Sequence, residues 1–235
     1  MNRTTVSPVQ ARTDVASPAP AVEPAAATVG ASAQASAGTA VGADADLVRA
    51  VRRRGLGLAA GAAIWAGSIF TVGSNPDTVV GITISDLGAL PFQAGVMGLL
   101  GAMSLTGAVG RGRGARVVIG IERVLLSLAM LWTVLHGAFP AFRDATWLAV
   151  LDAFWPLSML GMFVIGIKVA VGGRWRGLAR VWPLVAESWA VVTVPSFLLL
   201  GAPYSDWIGG GHLLLGYTVL GLILARRTAL VLPRT

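Results

Sequence analysis

The chain contains no cysteine, which removes disulfides, thiolate metal centres, iron–sulfur clusters and cysteine nucleophiles together. Histidine occurs only twice, at His136 and His212, too few for a cytochrome carrying several haems. Lysine occurs once, at Lys168, so 17 of the 18 basic residues are arginine. Charged residues make up only 12% of the 235 positions, too few to cover a soluble domain of this size. No phosphate-binding loop is present. The Gly-rich run GRGRG at 110–114 follows no strand and lacks the P-loop lysine.

What the chain does have is apolar length. Hydrophobic residues reach 55%, and the mean hydropathy is +0.73. Six long apolar stretches predict an all-α, polytopic bundle of six transmembrane helices at 56–72, 87–109, 117–139, 147–171, 181–200 and 207–225. These fall in a membrane domain over 46–235. Residues 1–45 are rich in Ala, Ser, Thr, Pro and Val, show no periodicity and are expected to form a disordered N-terminal tail. Prolines and Glu23 interrupt any signal-peptide core there. From Asp46, LVRAVRRR reads as an amphipathic lead-in at the headgroups.

The net charge of +7 would point to nucleic acid in a soluble protein. Here the arginines flank apolar runs, so the reading is topology and anionic lipid, with no nucleic-acid partner. Arg49 and Arg52 to Arg54 precede the first span. Arg111, Arg113 and Arg116 separate the second and third, Arg174, Arg176 and Arg180 the fourth and fifth, and Arg226, Arg227 and Arg234 follow the sixth. The opposite loops hold only Arg143. The positive-inside rule then places both termini in the cytoplasm. The Ala-, Gly- and Arg-rich composition suggests a bacterial cytoplasmic membrane.

A weak repeat joins two hairpins. VGRGRGARV (109–117) parallels VGGRWRGLARV (171–181), Asp86 precedes Pro91 as Asp152 precedes Pro156, and Glu122 and Glu187 follow Arg116 and Arg180 by six and seven residues. Short turns between spans also converge on Gly and Arg without any duplication. Pro156 and Pro195 are expected to kink the fourth and fifth helices. Small residues at Gly57 and Gly61, and at Gly98 and Ala102, favour close helix contact within the bundle or between copies.

Charges at membrane depth need partners or water. Glu122 and Glu187 lie roughly 10 Å inward of the arginine turns, and an ion pair from Arg123 to Glu187 is the structural expectation. The functional expectation is an ion or proton pathway through Glu122, Arg123, Glu187 and, from the other end, Asp152. Asp86, Asp144 and Asp206 are expected to cap helices two, four and six. His136, Asp152 and His212 are weighed as a divalent-metal site, and the two histidines as a single haem site. Against both stands simple hydrogen bonding, and no cofactor is expected. The run HLLLG (212–216) resembles the rhomboid proteases, but Ser158 in PLSMLGM lacks the Gly-x-Ser-Gly setting that builds their oxyanion hole. The inner tryptophans Trp65, Trp132, Trp155 and Trp189 read as packing residues.

Three function classes follow: a small permease or proton- or ion-handling protein, a non-catalytic accessory subunit of a larger membrane complex, and a metal- or haem-dependent membrane enzyme. The first leads, and enzymatic activity is not the expectation.

Overall fold

The computed structural model describes residues 26–233, with side chains from 44 onward. It is all-α, with no strand among the described residues, and has six helices long and apolar enough to cross a bilayer. The chain is a multi-pass membrane protein. The spans are α1 (Asp44–Val72), α2 (Val79–Thr106), α3 (Arg113–Ala138), α4 (Thr146–Gly172), α5 (Leu178–Leu200) and α6 (Tyr204–Arg226). Of the tail expected over 1–45, residues 1–25 lie outside the described residues. Helical backbone begins at Ala26, in an alanine-rich stretch of high helix propensity. Residues up to Gly42 form a unit of their own, and the six spans belong to the unit that starts at Ala43.

The first two spans start earlier than hydropathy alone indicates. LVRAVRRR is not a separate surface segment but the opening of α1, because nothing between Arg54 and Gly57 breaks a helix. Val51, Gly55, Leu58, Ala62, Trp65 and Ile69, spaced three and four apart, form one buried face. Similarly, α2 starts at Val79, where the Thr78 side chain accepts from the Gly81 amide and caps the helix. Asp86 is therefore two turns inside α2 and caps nothing.

The two other expected caps are also corrected. Asp144 is exposed, and α4 begins after Ala145 with no side-chain cap. Asp206 lies in the first turn of α6, but its Oδ1 accepts from the Ser74 backbone amide (2.9 Å) and the Ser74 hydroxyl, in the α1–α2 turn. It fastens the start of α6 to the α1–α2 turn at the arginine-poor end.

In their most apolar 18-residue stretches, half or more of α1 and α6 is buried (50% and 56%) against 22% for α4 and for α5, so α1 and α6 form the centre. They meet through glycine. A Cβ on Gly55 would stand 2.6 Å from the Gly221 carbonyl oxygen, and one on Gly221 would stand 2.6 Å from the Ala59 nitrogen. Lipid offers no hydrophobic drive between helices, so such close backbone approach supplies the packing energy. Gly61 against the Pro91–Phe92 backbone and Gly95 against Leu58 do the same between α1 and α2. Gly57, expected to share the α1 contact, is exposed, and a Cβ there would meet open space.

Two spans are broken. In α4 the helix is interrupted at Ala153, between Asp152 and Phe154. Pro156 causes this, since its ring excludes the carbonyl four residues earlier, at Asp152. In α5 the break is at Ser188 and not at Pro195, which sits inside an unbroken helix Trp189–Leu200. The Ser188 hydroxyl donates back to the Val185 carbonyl (2.7 Å), a local competitor with the helix ladder. In α6 residues Leu214–Thr218 form a π-turn. The carbonyls of Leu215 and Gly216 there accept from the Trp182 indole, each at 3.1 Å.

Candidate functional site

The irregular segments of α5 and α6 meet at one residue. Glu187 immediately precedes the α5 break and is 2% exposed. Tyr217, inside the π-turn of α6, donates its hydroxyl to Glu187 Oε2 at 2.6 Å. The extra residue of a π-turn rotates the side chains that follow, and such turns recur at functional positions. Gly216 lets the turn seat against Ala186, since a Cβ there would stand 2.9 Å from the Ala186 α-carbon. The second oxygen of Glu187, Oε1, is buried with no hydrogen-bond partner among the described residues.

A second buried acid stands nearby. Glu122 of α3 accepts from the Ser158 hydroxyl of α4 at 2.6 Å, and its carboxylate occupies the space left by Gly161. Any side chain at Gly161 would collide with it. Neither acid has a basic partner among the described residues, so ionising either puts an uncompensated charge in the bundle interior.

The expected ion pair from Arg123 to Glu187 is not formed. Arg123 is exposed on the outer face of α3, because a one-residue step turns it about 100° from the buried Glu122. Ser158, weighed as a nucleophile, is bound to a carboxylate and not to a histidine.

Toward the arginine-poor end lies a cavity of about 190 Å³. Trp65, Trp132, Trp155 and Trp189 line it, together with Ser74, Ser85, Asp86, Gln93 and Thr133. The four inner tryptophans, read from the sequence as packing, wall this space. Trp65 stacks on Phe92 with ring centroids 4.9 Å apart and meets Trp155 edge-on at 5.8 Å. Phe92 in turn meets Tyr217 edge-on at 4.7 Å, so an aromatic layer separates the cavity from the acids. Gln93 donates to the Thr133 hydroxyl at 2.8 Å, while its own Oε1 is buried without a partner. The sequence signal for Gln93 was its polarity deep in an apolar run, and nothing else marked it.

Beneath the aromatic layer a gap of about 10 Å³ touches Trp155, Ser158, Glu187 and Tyr217, at the lower limit for one water. A third space, about 370 Å³ and almost wholly apolar, runs between α4 and α5 along Pro156, Met159, Phe163 and Val194, and Glu187 forms part of its wall.

The histidines belong to different neighbourhoods. His136 Nδ1 bonds Asp86 Oδ2 at 2.6 Å, and Trp132 stacks on its ring at 4.6 Å. Arg143 donates to the His136 and Gly137 carbonyls and to the Thr83 hydroxyl, closing the end of α3. Asp152, exposed at the α4 break, lies within Coulombic range of Asp86 and His136. His212 Nε2 instead meets the Ser188 hydroxyl at 3.1 Å, beside the α5 break. The ring of His136, Asp152 and His212 is thus not assembled. No group of three or more metal-ligating side chains converges among the described residues. Asp86 binds one ring nitrogen of His136 and Ser188 one of His212, and the two histidines share no partner among the described residues.

No protein-family model, curated protein or solved structure matches the chain.

Proposed function

We propose that the chain is a small proton-coupled permease of a bacterial cytoplasmic membrane, with the arginine-rich end and both termini in the cytoplasm. Glu187 is its proton-carrying group. The observation that carries this reading is the position of Glu187: an acid with no base and one hydroxyl beside it among the described residues, at a helix break, between an apolar groove and the gap beneath the tryptophan cavity. A charged acid at membrane depth costs about 2.5–3.5 kcal/mol to insert, and such residues mark substrate, ion and proton pathways. Glu122 provides a second proton station on the cytoplasmic half. The cavity suits a small amine-bearing solute. Four indoles line it, an aromatic wall of the kind that attracts a cation, and Asp86 and the free Gln93 Oε1 accept hydrogen bonds. Asp152 stands at the outer mouth. Arg123 leaves the pathway because it faces outward.

The test is carbodiimide labelling of the protein in vesicles, read by peptide mass spectrometry. Apolar dicyclohexylcarbodiimide is expected to modify Glu187 through the α4–α5 groove, with no modification at that peptide in Glu187→Gln. With vesicles holding a pH dye, a screen of small amines is expected to give proton movement in the native protein and none in the variant. Glu187 that stays unmodified until the protein is denatured, with no amine moving protons, would sink the reading.

A second reading rests on Arg123. It lies roughly 10 Å inward of Arg116, on an otherwise apolar exposed face with Ile121 and Val124, and has no acidic partner among the described residues. An accessory subunit would present such a charge to an acid on a neighbouring membrane chain. Native mass spectrometry of protein extracted from its own membrane should then show a larger assembly that Arg123→Gln dissociates. A single-chain mass for the unsubstituted protein rejects this.

A further inference from the structure

The two arginine turns, which the permease reading does not use, build a site together. The α2–α3 turn (107–112) and the α4–α5 turn (173–177) enclose, with the C-terminal segment, a cavity of about 350 Å³. Arg111, Arg174 and Arg176 line it alongside Thr106, Leu232 and Pro233, and no carboxylate does so among the described residues.

The surround is fixed before any ligand arrives. Trp175 is fully buried, and its indole donates to the Thr106 hydroxyl at 2.9 Å, tying one turn to the end of the other hairpin. The Arg176 amide donates to the Leu230 carbonyl at 2.9 Å, and its guanidinium reaches the Ala229 carbonyl, so the C-terminal segment is strapped across the opening. Gly107 and Gly173 end their helices with positive φ (68° and 64°), which sends both chains back toward the pocket. Arg111 and Arg174 make no hydrogen bond or ion pair among the described residues. Three guanidiniums around one cavity repel one another until an anion neutralises them, and guanidinium forks match phosphate oxygens.

We infer that this pocket is a binding site for a phosphate-bearing anion, presented either by an anionic lipid headgroup or by a free phosphate compound. Arg111 and Arg174 supply the charge, and Arg176 holds the strap.

The full-length protein is tested in nanodiscs of phosphatidylcholine alone, of phosphatidylcholine with phosphatidylglycerol, and of phosphatidylcholine with added inorganic phosphate. Thermal unfolding and native-mass-spectrometric lipid retention are the readouts. Phosphatidylglycerol is expected to raise the unfolding temperature and to be retained. The double variant Arg111→Gln/Arg174→Gln should lose about a hundredfold in retention, since each charge-assisted guanidinium–phosphate contact made in the pocket contributes about tenfold. Arg52→Gln/Arg53→Gln removes the same charge from exposed positions outside the pocket and should lose far less. Protection by inorganic phosphate that depends on Arg111 and Arg174 assigns the site to a free phosphate compound. Equal losses in the two double variants, or no effect of either anion on the native protein, overturn the site.

Discussion

Gly221→Val is expected to lower the stability of the purified protein by about 3 kcal/mol, the upper end of the usual cost of overpacking. Gly55→Val should do the same. The reason is what the new atoms would meet: at Gly221 the backbone of Gly55 and Ala59, and at Gly55 the backbone of Gly221 and Ala225. Backbone cannot rotate aside as a side-chain tip can, so α1 and α6 must separate, and their apolar stretches are the most buried of the six. The same substitution two residues away, Gly57→Val, has open space around it and should change stability by less than about 1 kcal/mol, because valine is if anything a better helix former than glycine. Thermal unfolding followed by intrinsic tryptophan fluorescence measures all three. Equal effects at Gly55 and Gly57 would mean that α1 does not present this face to α6.

Much of that architecture can be read from the chain alone, and the part that cannot has a definite cause. Hydropathy reports where apolar length is sufficient, so six spans and the arginine turns between them are legible. It does not report where a helix starts. Thr78 begins α2 inside a polar run, and Asp86 and the arginines of α1 lie within helix, because caps and breakers set ends while hydropathy measures only the middle. Rotation is also invisible. Gly57 and Gly61 read as one face, yet a Cβ on Gly61 would strike the Pro91–Phe92 backbone of α2 while one on Gly57 would meet open space. Arg123 and Glu187 have suitable depths, yet Arg123 points away. Proline predicted the break in α4, but Ser188 made the one in α5. The four inner tryptophans were read as packing, and only their convergence from α1, α3, α4 and α5 makes them a cavity wall.

The repeat between hairpins gains weight from where its members fall. Glu122 and Glu187 lie within Coulombic range of each other, as do Asp86 and Asp152, and Arg111 shares a pocket with Arg174. Positions equated by sequence thus lie near one another at three depths. Two similar hairpins packed against each other through α3 and α4 would give this pattern. Chance convergence of short turns accounts for the arginines but not for the paired acids inside the spans. A parallel pair of repeats is a familiar way of placing a site on the axis between two halves of a transporter.

The decisive pairing is that of Glu187 with Tyr217. Tyr217→Phe removes the one donor to a buried carboxyl and is expected to cost about 2 kcal/mol, the usual penalty for leaving such a group unsatisfied. Glu187→Gln keeps the shape, retains an acceptor for the tyrosine and removes the charge, so its cost should be smaller. Combined, the two should be non-additive by about 1 kcal/mol, as expected for side chains in direct contact. Glu187→Gln with Arg123→Gln is the contrasting cycle. With Arg123 on the outer face, the two should add to within about 0.5 kcal/mol. The permease reading adds a second requirement: Tyr217→Phe should slow amine-driven proton movement while leaving Glu187 reactive to carbodiimide, because the acid remains and only its orientation is lost. A Tyr217→Phe protein that moves protons at the native rate would reduce the bond to packing. Strong coupling between Arg123 and Glu187 would mean that α3 is rotated from the position described, and the candidate site would have to be rebuilt around that ion pair.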